Sequence, residues 1–581
     1  MTDSVQRSGA ISLRVPDVTR IAISAYLEYR SDCTVSGSEV PVSVVHENHW
    51  LVQYCLTLST GLDATDRMQV TCSFLAEEAY FLDHNRQILP FSTEVSPPFP
   101  VGCMVWIRQG GTLWQVDLPK FPYLKLSKQG DRVTASFVVQ DRLGAGLILW
   151  GNQKLVKCPI EKQIYIRANS LKTIQEAVWI EPYPSGARSV ICLTDHPDFD
   201  TVAKLRLLYE LFSKNDLRVT KGVFPSSDPG SVRVVPGLDV PEYKKYIDML
   251  HERGSEIAYH GFSFRNNPPP LSECLRRVDM MSTYSPKTWI DHGGGDYLFS
   301  KDAVFKEGVS LVEMLSKVGV ENYWSYTDVW ENPTRHFHVW AKRKSSMALT
   351  NMLYFLWDKK RVKVPLLLYY GSSVLKNLFG PFHVRPLMDN PWRAKTWKSV
   401  ALQVRGLRCF HENPMVLYDM SGQCSFMSDQ KIWIFDTVLL NHLAFQLRPA
   451  NVDLLCKQNG LLLAHCYFGH QKGTYGTINC FTNDGENSVL SQEFIEGVKY
   501  ISEKQNQREV ITLSFAALRD ALTNFANASV VRTQNGWEIT GAKAVVASRQ
   551  SLSFSGPAIQ WNKERLFYSE VKGPSVARLS S

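Results

Sequence analysis

Residues 189–200 read SVICLTDHPDFD, and the fold of this chain is decided by how that stretch is read. An apolar run from Ser189 to Leu193 is suited to burial as a strand, and it stops abruptly at Thr194-Asp195-His196-Pro197-Asp198. Carboxylates gathered around one imidazole at a strand tip are what a metal site or an acid–base site needs.

The pattern recurs twice downstream. Tyr243, Ile247 and Leu250 fall on one face of a helix over 243–253 that stops at Gly254, after which Ile257 and Ala258 lead to His260. Further on, a helix over 452–458 ends near Gly460, and Leu461, Leu462, Leu463 and Ala464 lead to His465. Three short apolar strands thus deliver an Asp or a His at their C-terminal ends. In parallel α/β sheets that end carries the chemistry, because the strand fixes the side chain and the following loop shapes a pocket.

These residues resemble the polysaccharide deacetylase family, also called the NodB-homology or carbohydrate esterase family 4 fold. Thr194-Asp195-His196-Pro197-Asp198 resembles the family's aspartate pair in its D-x-D spacing, and Arg253-Gly254-Ser255-Glu256-Ile257-Ala258-Tyr259-His260-Gly261 is the nearest match to its histidine motif. Leu463-Ala464-His465 resembles the family's final L-H strand with one residue inserted. The resemblance covers about half the chain, from Ser189 to about Thr523. It implies an α/β fold, a distorted (β/α) barrel, that removes acetyl groups from amino sugars with a divalent metal, zinc being the first expectation.

Two departures stand out. The family's second motif histidine is replaced by Phe264, which cannot bind a metal. The substitute is His292, in Trp289-Ile290-Asp291-His292-Gly293-Gly294-Gly295, so that the expected ligands are Asp198, His260 and His292. Asp291 would orient a ligand or the base. The motif-one carboxylates are also separated by His196 and Pro197, which leaves both Asp195 and His196 open as the general base, with His465 as the acid. Non-catalytic readings exist for each residue: Asp198 or Asp200 could cap the helix whose stripe is Val202, Leu205, Leu208 and Phe212, His292 could be an ordinary loop residue, and His465 a hydrogen-bonded core histidine. The glycines 293–295 lack the flanking pattern of a phosphate loop.

With 581 residues, of which 44% are hydrophobic, the chain can bury several cores. Residues 1–185 read as β structure in runs such as HWLVQYCLTL and RVTASFVVQ, giving one or more sandwich-like domains. The barrel is expected over 186–523 and a small β-rich segment over 524–581. The opening residues MTDSVQRSGAISLRV lack the basic-then-apolar pattern of a leader, and no run of about eighteen apolar residues occurs, so a cytoplasmic protein is expected. Twelve scattered cysteines without a CxxC pair read as reduced thiols and argue against a structural zinc site.

Charge is concentrated in an insertion placed at about 335–429. Between Arg335 and Arg408 stand fifteen Lys or Arg against only Asp358 and Asp389, a local +13 in a chain of +8. Trp340, Trp357, Trp392 and Trp397 are interleaved with them. Such a stretch suits an anionic partner, namely a membrane surface, a lipid-linked glycan or an acidic polysaccharide, and equally a solvated basic face. No nucleic-acid module accompanies it. The expected function is metal-dependent N-deacetylation in bacterial surface-polysaccharide or glycan metabolism. The alternatives are a glycan-binding scaffold on a degenerate deacetylase fold, and hydrolysis of a non-sugar amide.

Overall fold

A computed structural model describes strands between residues 11 and 58, and then residues 67–95, 104–118, 124–140, 160–227, 235–324, 415–419, 431–483 and 487–579, with short gaps inside these ranges. The basic stretch 335–408 and the glycines 293–295 lie outside the described residues.

The centre of the molecule is a parallel sheet. Its strands are β1 (Ser189–Asp195), β2 (Thr220–Val223), β3 (Glu256–His260), β4 (Thr288–Ile290), β5 (Asn322–Trp324), β6 (Met415–Asp419), β7 (Lys431–Phe435), β8 (Val438–Leu439), β9 (Leu461–Cys466) and β10 (Val510–Thr512). They lie in the order β6-β7-β5-β4-β3-β2-β1-β9-β8, with β10 beside the start of β1. All neighbours are parallel except the β6–β7 pair. The sheet is curled and mixed with helices. Among the described residues its two edges, β6 and β8, are not hydrogen-bonded to each other, so the full barrel implied by the resemblance reduces here to an open, curled α/β sheet.

Strand alternation divides the core in two. Ile191 and Leu193 of β1, Ile257 and Tyr259 of β3 and Leu462 of β9 face one cluster. That cluster is covered by α1 (Val202–Lys214), α2 (Pro241–Glu252) and α3 (Gln492–Asn506), which contribute Leu205, Leu208, Ile247, Leu250 and Phe494. Val190 and Cys192, Ala258, Ile290, Trp324, Leu461 and Leu463 face the opposite cluster, where α4 (Phe515–Asn527) supplies Phe515 and Leu518. Truncating one of these leucines, Leu463→Ala for example, would cost about 2–5 kcal/mol, because the packed surroundings cannot collapse into the space.

Helix α2 buries Tyr243, Ile247 and Leu250, the stripe read from the sequence. Helix α1 is capped by the Thr201 hydroxyl, which accepts from the Lys204 N–H, so neither Asp198 nor Asp200 serves as its cap. Both carboxylates are thereby available for other contacts.

The N-terminal residues form antiparallel sheets of five and seven strands, and the C-terminal residues two sheets of four strands. One of the latter includes Val178–Glu181, paired with Lys543–Ser548. Six cysteines among the described residues are buried thiols: Cys72, Cys192, Cys274, Cys456, Cys466 and Cys480. No described helix is long and apolar enough to cross a membrane.

Candidate metal and acid–base site

Four imidazoles converge at the C-terminal ends of the parallel strands. His260 ends β3, His465 is the penultimate residue of β9, His196 follows β1 directly, and His292 lies two residues beyond β4. The register places His465 opposite Thr194 and Ile290 opposite both His260 and Trp324, so the side chains emerge at one level. The His196 N–H donates to the Cys466 carbonyl at 2.9 Å, tying the turn after β1 to the end of β9.

Asp198 sits in the short 3-10 turn Pro197–Phe199 and stands between two histidines. Its two carboxylate oxygens lie 3.3 Å from His260 Nε2 and 3.3 Å from His292 Nε2. His196, Asp198 and His260 each offer a ligand atom within 4.8 Å of the others. The His196 ring stacks on His465 with centroids 3.7 Å apart, and Trp324 meets both edge-on at 4.7 and 4.8 Å. Phe224 closes the other side, 5.1 Å from His260 and 4.8 Å from His292. Asp198 and His292 keep 29% and 17% of their side-chain surface exposed while His260 keeps 1%, so solvent reaches the cluster over Asp198.

Gly261 permits this approach. Its φ is +61°, and a Cβ there would come within 2.5 Å of the His292 Cβ and 2.6 Å of Asp296 Oδ2. The Asp296 carboxylate accepts the N–H groups of Phe262, Ser263 and Phe264 and so fixes the loop that follows His260.

Protonation favours ligation. Burial pushes the His260 imidazole down to about 4 and the His196 imidazole well below its ordinary value, so both are neutral at neutral pH. Although burial pushes the Asp198 carboxyl up, hydrogen bonding and charge from His260 and His292 outweigh it and hold the group well below the usual range. Nδ1 of His260 and Nε2 of His196 make no hydrogen bond within the protein, and Nε2 of His260 meets the Asp198 carboxylate at 3.3 Å. Buried polar atoms without such partners, beside an ionised carboxylate, are what a set of metal ligands presents. The residues present therefore fit a divalent ion.

Two of the carboxylates read as catalytic from sequence face elsewhere. Asp195, one residue from His196, turns toward the helix-covered side, where Lys221 donates to Oδ2 and the Phe468 N–H to Oδ1 at 2.7 Å. Asp291, one residue from His292, turns the same way and accepts from Trp289 Nε1 at 2.6 Å and the Tyr323 hydroxyl at 3.0 Å. Burial holds its carboxyl well above the usual range. Phe264 lies with its ring 4.2 Å from the Arg277 guanidinium. Trp324, Phe224, Lys221 and Tyr467, whose ring centroid is 4.7 Å from that of His465, were not singled out in the sequence; a lone lysine inside the strand Thr220–Val223 was the one visible signal.

No protein-family model matches this chain, and no curated protein matches it. Solved structures of a Kfla1895 mutant resemble it weakly. The complex with isomaltose has 9% identity and a TM-score of 0.18 over 47% of this chain and 57% of that one. The complex with cyclobis-(1→6)-α-nigerosyl has 9% identity and 0.18 over 52% and 60%. A third structure, of the same mutant, has 9% identity and a TM-score of 0.22 over 96% of this chain and 94% of that one. Likeness at this level carries neither fold nor activity across, so the deacetylase resemblance rests on the motifs and on the cluster they form.

Proposed function

We propose that this chain is a metal-dependent hydrolase that removes the acetyl group from an N-acetylated sugar in bacterial surface-polysaccharide or glycan metabolism. The observation that carries the reading is the Asp198 carboxylate faced by Nε2 of His260 and Nε2 of His292 at 3.3 Å each. Asp198, His260 and His292 would hold the ion, zinc being the expectation for two imidazoles and a carboxylate. When bound, such an ion lowers the pKa of a coordinated water and polarises the acetamide carbonyl.

The remaining steps belong to the imidazoles. Of the two residues open as base, His196 faces the cluster and is neutral, so its imidazole can take a proton from the attacking water. His465, stacked on it, gives a proton to the departing amine as the amide C–N bond breaks, leaving acetate and the free amino sugar. Trp324 and Tyr467 pack around this pair and restrict water there. The basic stretch 335–408 would hold the protein at an anionic surface, such as the inner face of the cytoplasmic membrane, and salt-sensitive sedimentation with acidic vesicles tests that part.

Acetate release from a panel of N-acetylated sugars and lipid-linked glycans is the deciding assay. Zinc-loaded wild type should release acetate and chelator-treated protein should not. His465→Ala should retain zinc and lose about 10²- to 10⁴-fold in turnover. A zinc-loaded wild type that binds a glycan yet releases no acetate would make the protein a glycan-binding scaffold instead.

A further inference from the structure

The turn that carries His196 and Asp198 is bracketed by two aspartates, Asp195 before it and Asp200 after it. Both side chains are wholly buried on the face of the sheet away from the imidazoles, and one ammonium joins them. Lys221 Nζ, with 1% of its side chain exposed, donates to Asp195 Oδ2 and, at 2.6 Å, to Asp200 Oδ2. The register sets this contact, because Asp195 of β1 pairs with Lys221 of β2. Asp200 Oδ2 also accepts the Tyr243 hydroxyl at 2.7 Å, and Asp195 Oδ1 accepts the Phe468 N–H. Although burial opposes it, the two carboxylates hold the Lys221 ammonium above its ordinary value, so the lysine is charged.

A second buried lysine acts on the same turn from its far side. Lys204 Nζ donates to the Gly469 carbonyl at 2.6 Å and reaches the Phe199 carbonyl at 3.4 Å. The loops are so close that a Cβ on Gly469 would overlap the Phe199 carbonyl and lie 2.9 Å from the Asp200 nitrogen. The turn is thus held at both ends, and its only half-exposed acidic group is Asp198.

From this geometry we infer that Lys221 is a positioning residue, which sets His196 and Asp198 for the chemistry above by tying Asp195 to Asp200 beneath them. The inference rests on the proposed reading of His196 and Asp198 as site residues. A buried lysine between two carboxylates contributes little net stability, since desolvating the three charges offsets their attraction. What it supplies is a single geometry for five residues that would otherwise form a surface loop. Groups that orient metal ligands in this way typically change metal affinity by about 10- to 100-fold when removed.

The test uses the full chain and two variants. Lys221→Met leaves two buried carboxylates without a counterion; if it fails to fold, Asp200→Asn carries the experiment, because it keeps the Lys221–Asp195 pair balanced. Two readouts are taken: zinc titration, and hydrogen exchange of the metal-free protein followed over peptides covering 196–200 and 256–260. The expected result is zinc binding about 10- to 100-fold weaker, and exchange of the 196–200 amides about tenfold faster while that of 256–260 is unchanged, whatever the fall in thermal midpoint. Unchanged exchange over 196–200 in Asp200→Asn overturns the inference. Uniformly faster exchange with a lowered midpoint also overturns it, in favour of a merely structural pair. A wild type that takes up no zinc removes the metal reading by itself, and the exchange arm still decides the role of Lys221.

Discussion

Asp195 and His196 are adjacent in the chain and serve opposite faces of the sheet: the carboxylate is buried against Lys221 and the Phe468 N–H, while the imidazole stacks on His465 at 3.7 Å. Burial holds the Asp195 carboxyl above the usual range, against the pull of Lys221. The same parity separates Asp291 from His292. Both histidines therefore reach the cluster, and both aspartates brace the strands behind it.

An asymmetry in mutagenesis follows from that parity. His196→Ala should lower acetate release by about 10²- to 10⁴-fold with the fold intact, as loss of a general base does. Asp195→Asn should act mainly on stability, since it weakens a buried contact to Lys221. Turnover and unfolding midpoint measured on both variants separate the two, and a larger loss of turnover in a well-folded Asp195→Asn would make Asp195 the base.

Phe264 bears on the metal. Its ring packs at 4.2 Å against the Arg277 guanidinium, and its N–H is held by Asp296. Phe264→His should leave zinc affinity within about twofold of wild type, whereas His292→Ala should weaken it by at least about tenfold. Zinc titration of the two variants is the check; tighter binding by Phe264→His would assign the third ligand to position 264 and release His292.

Gly261→Ala should damage the site without altering any ligand. The added methyl meets the His292 Cβ at 2.5 Å, and φ of +61° is strained for alanine, at on the order of 1–2 kcal/mol. Weaker zinc binding with only a small fall in melting temperature is expected. Wild-type affinity in this variant would show that His292 need not lie beside His260.

Burial of His260 gives a pH dependence with a definite sign. Its folded-state value of about 4 lies below the ordinary 6.5, so between those values the unfolded chain binds the proton and the native state does not. The metal-free protein should lose stability as pH falls through that window, by on the order of 3 kcal/mol from this group when both states are followed to about pH 4. Urea midpoints of wild type and His260→Gln, measured from pH 7 to 4.5, should converge as the pH is lowered. A constant difference would show that His260 takes up its proton equally in the folded and unfolded states.

The sequence by itself determined the local elements and the chemistry-bearing positions. Apolar runs ending at Asp195, His260 and His465 are strands because their residues are suited to full burial, and the 3.6-residue stripe Tyr243, Ile247, Leu250 is a helix for the same local reason. Those signals need no knowledge of distant partners. Period-two alternation was also legible, but which of two alternating faces turns inward depends on how the sheet curls and on what covers it. Only the tertiary structure decided that Asp195 and Asp291 face the helices and that Thr201 caps α1. It alone joined Asp195 to Lys221, 26 residues away, and bonded Thr194 to the Ala464 carbonyl, 270 residues away. Burying a charge forces it to find a counterion, and where that counterion comes from is fixed by strand register rather than by sequence distance.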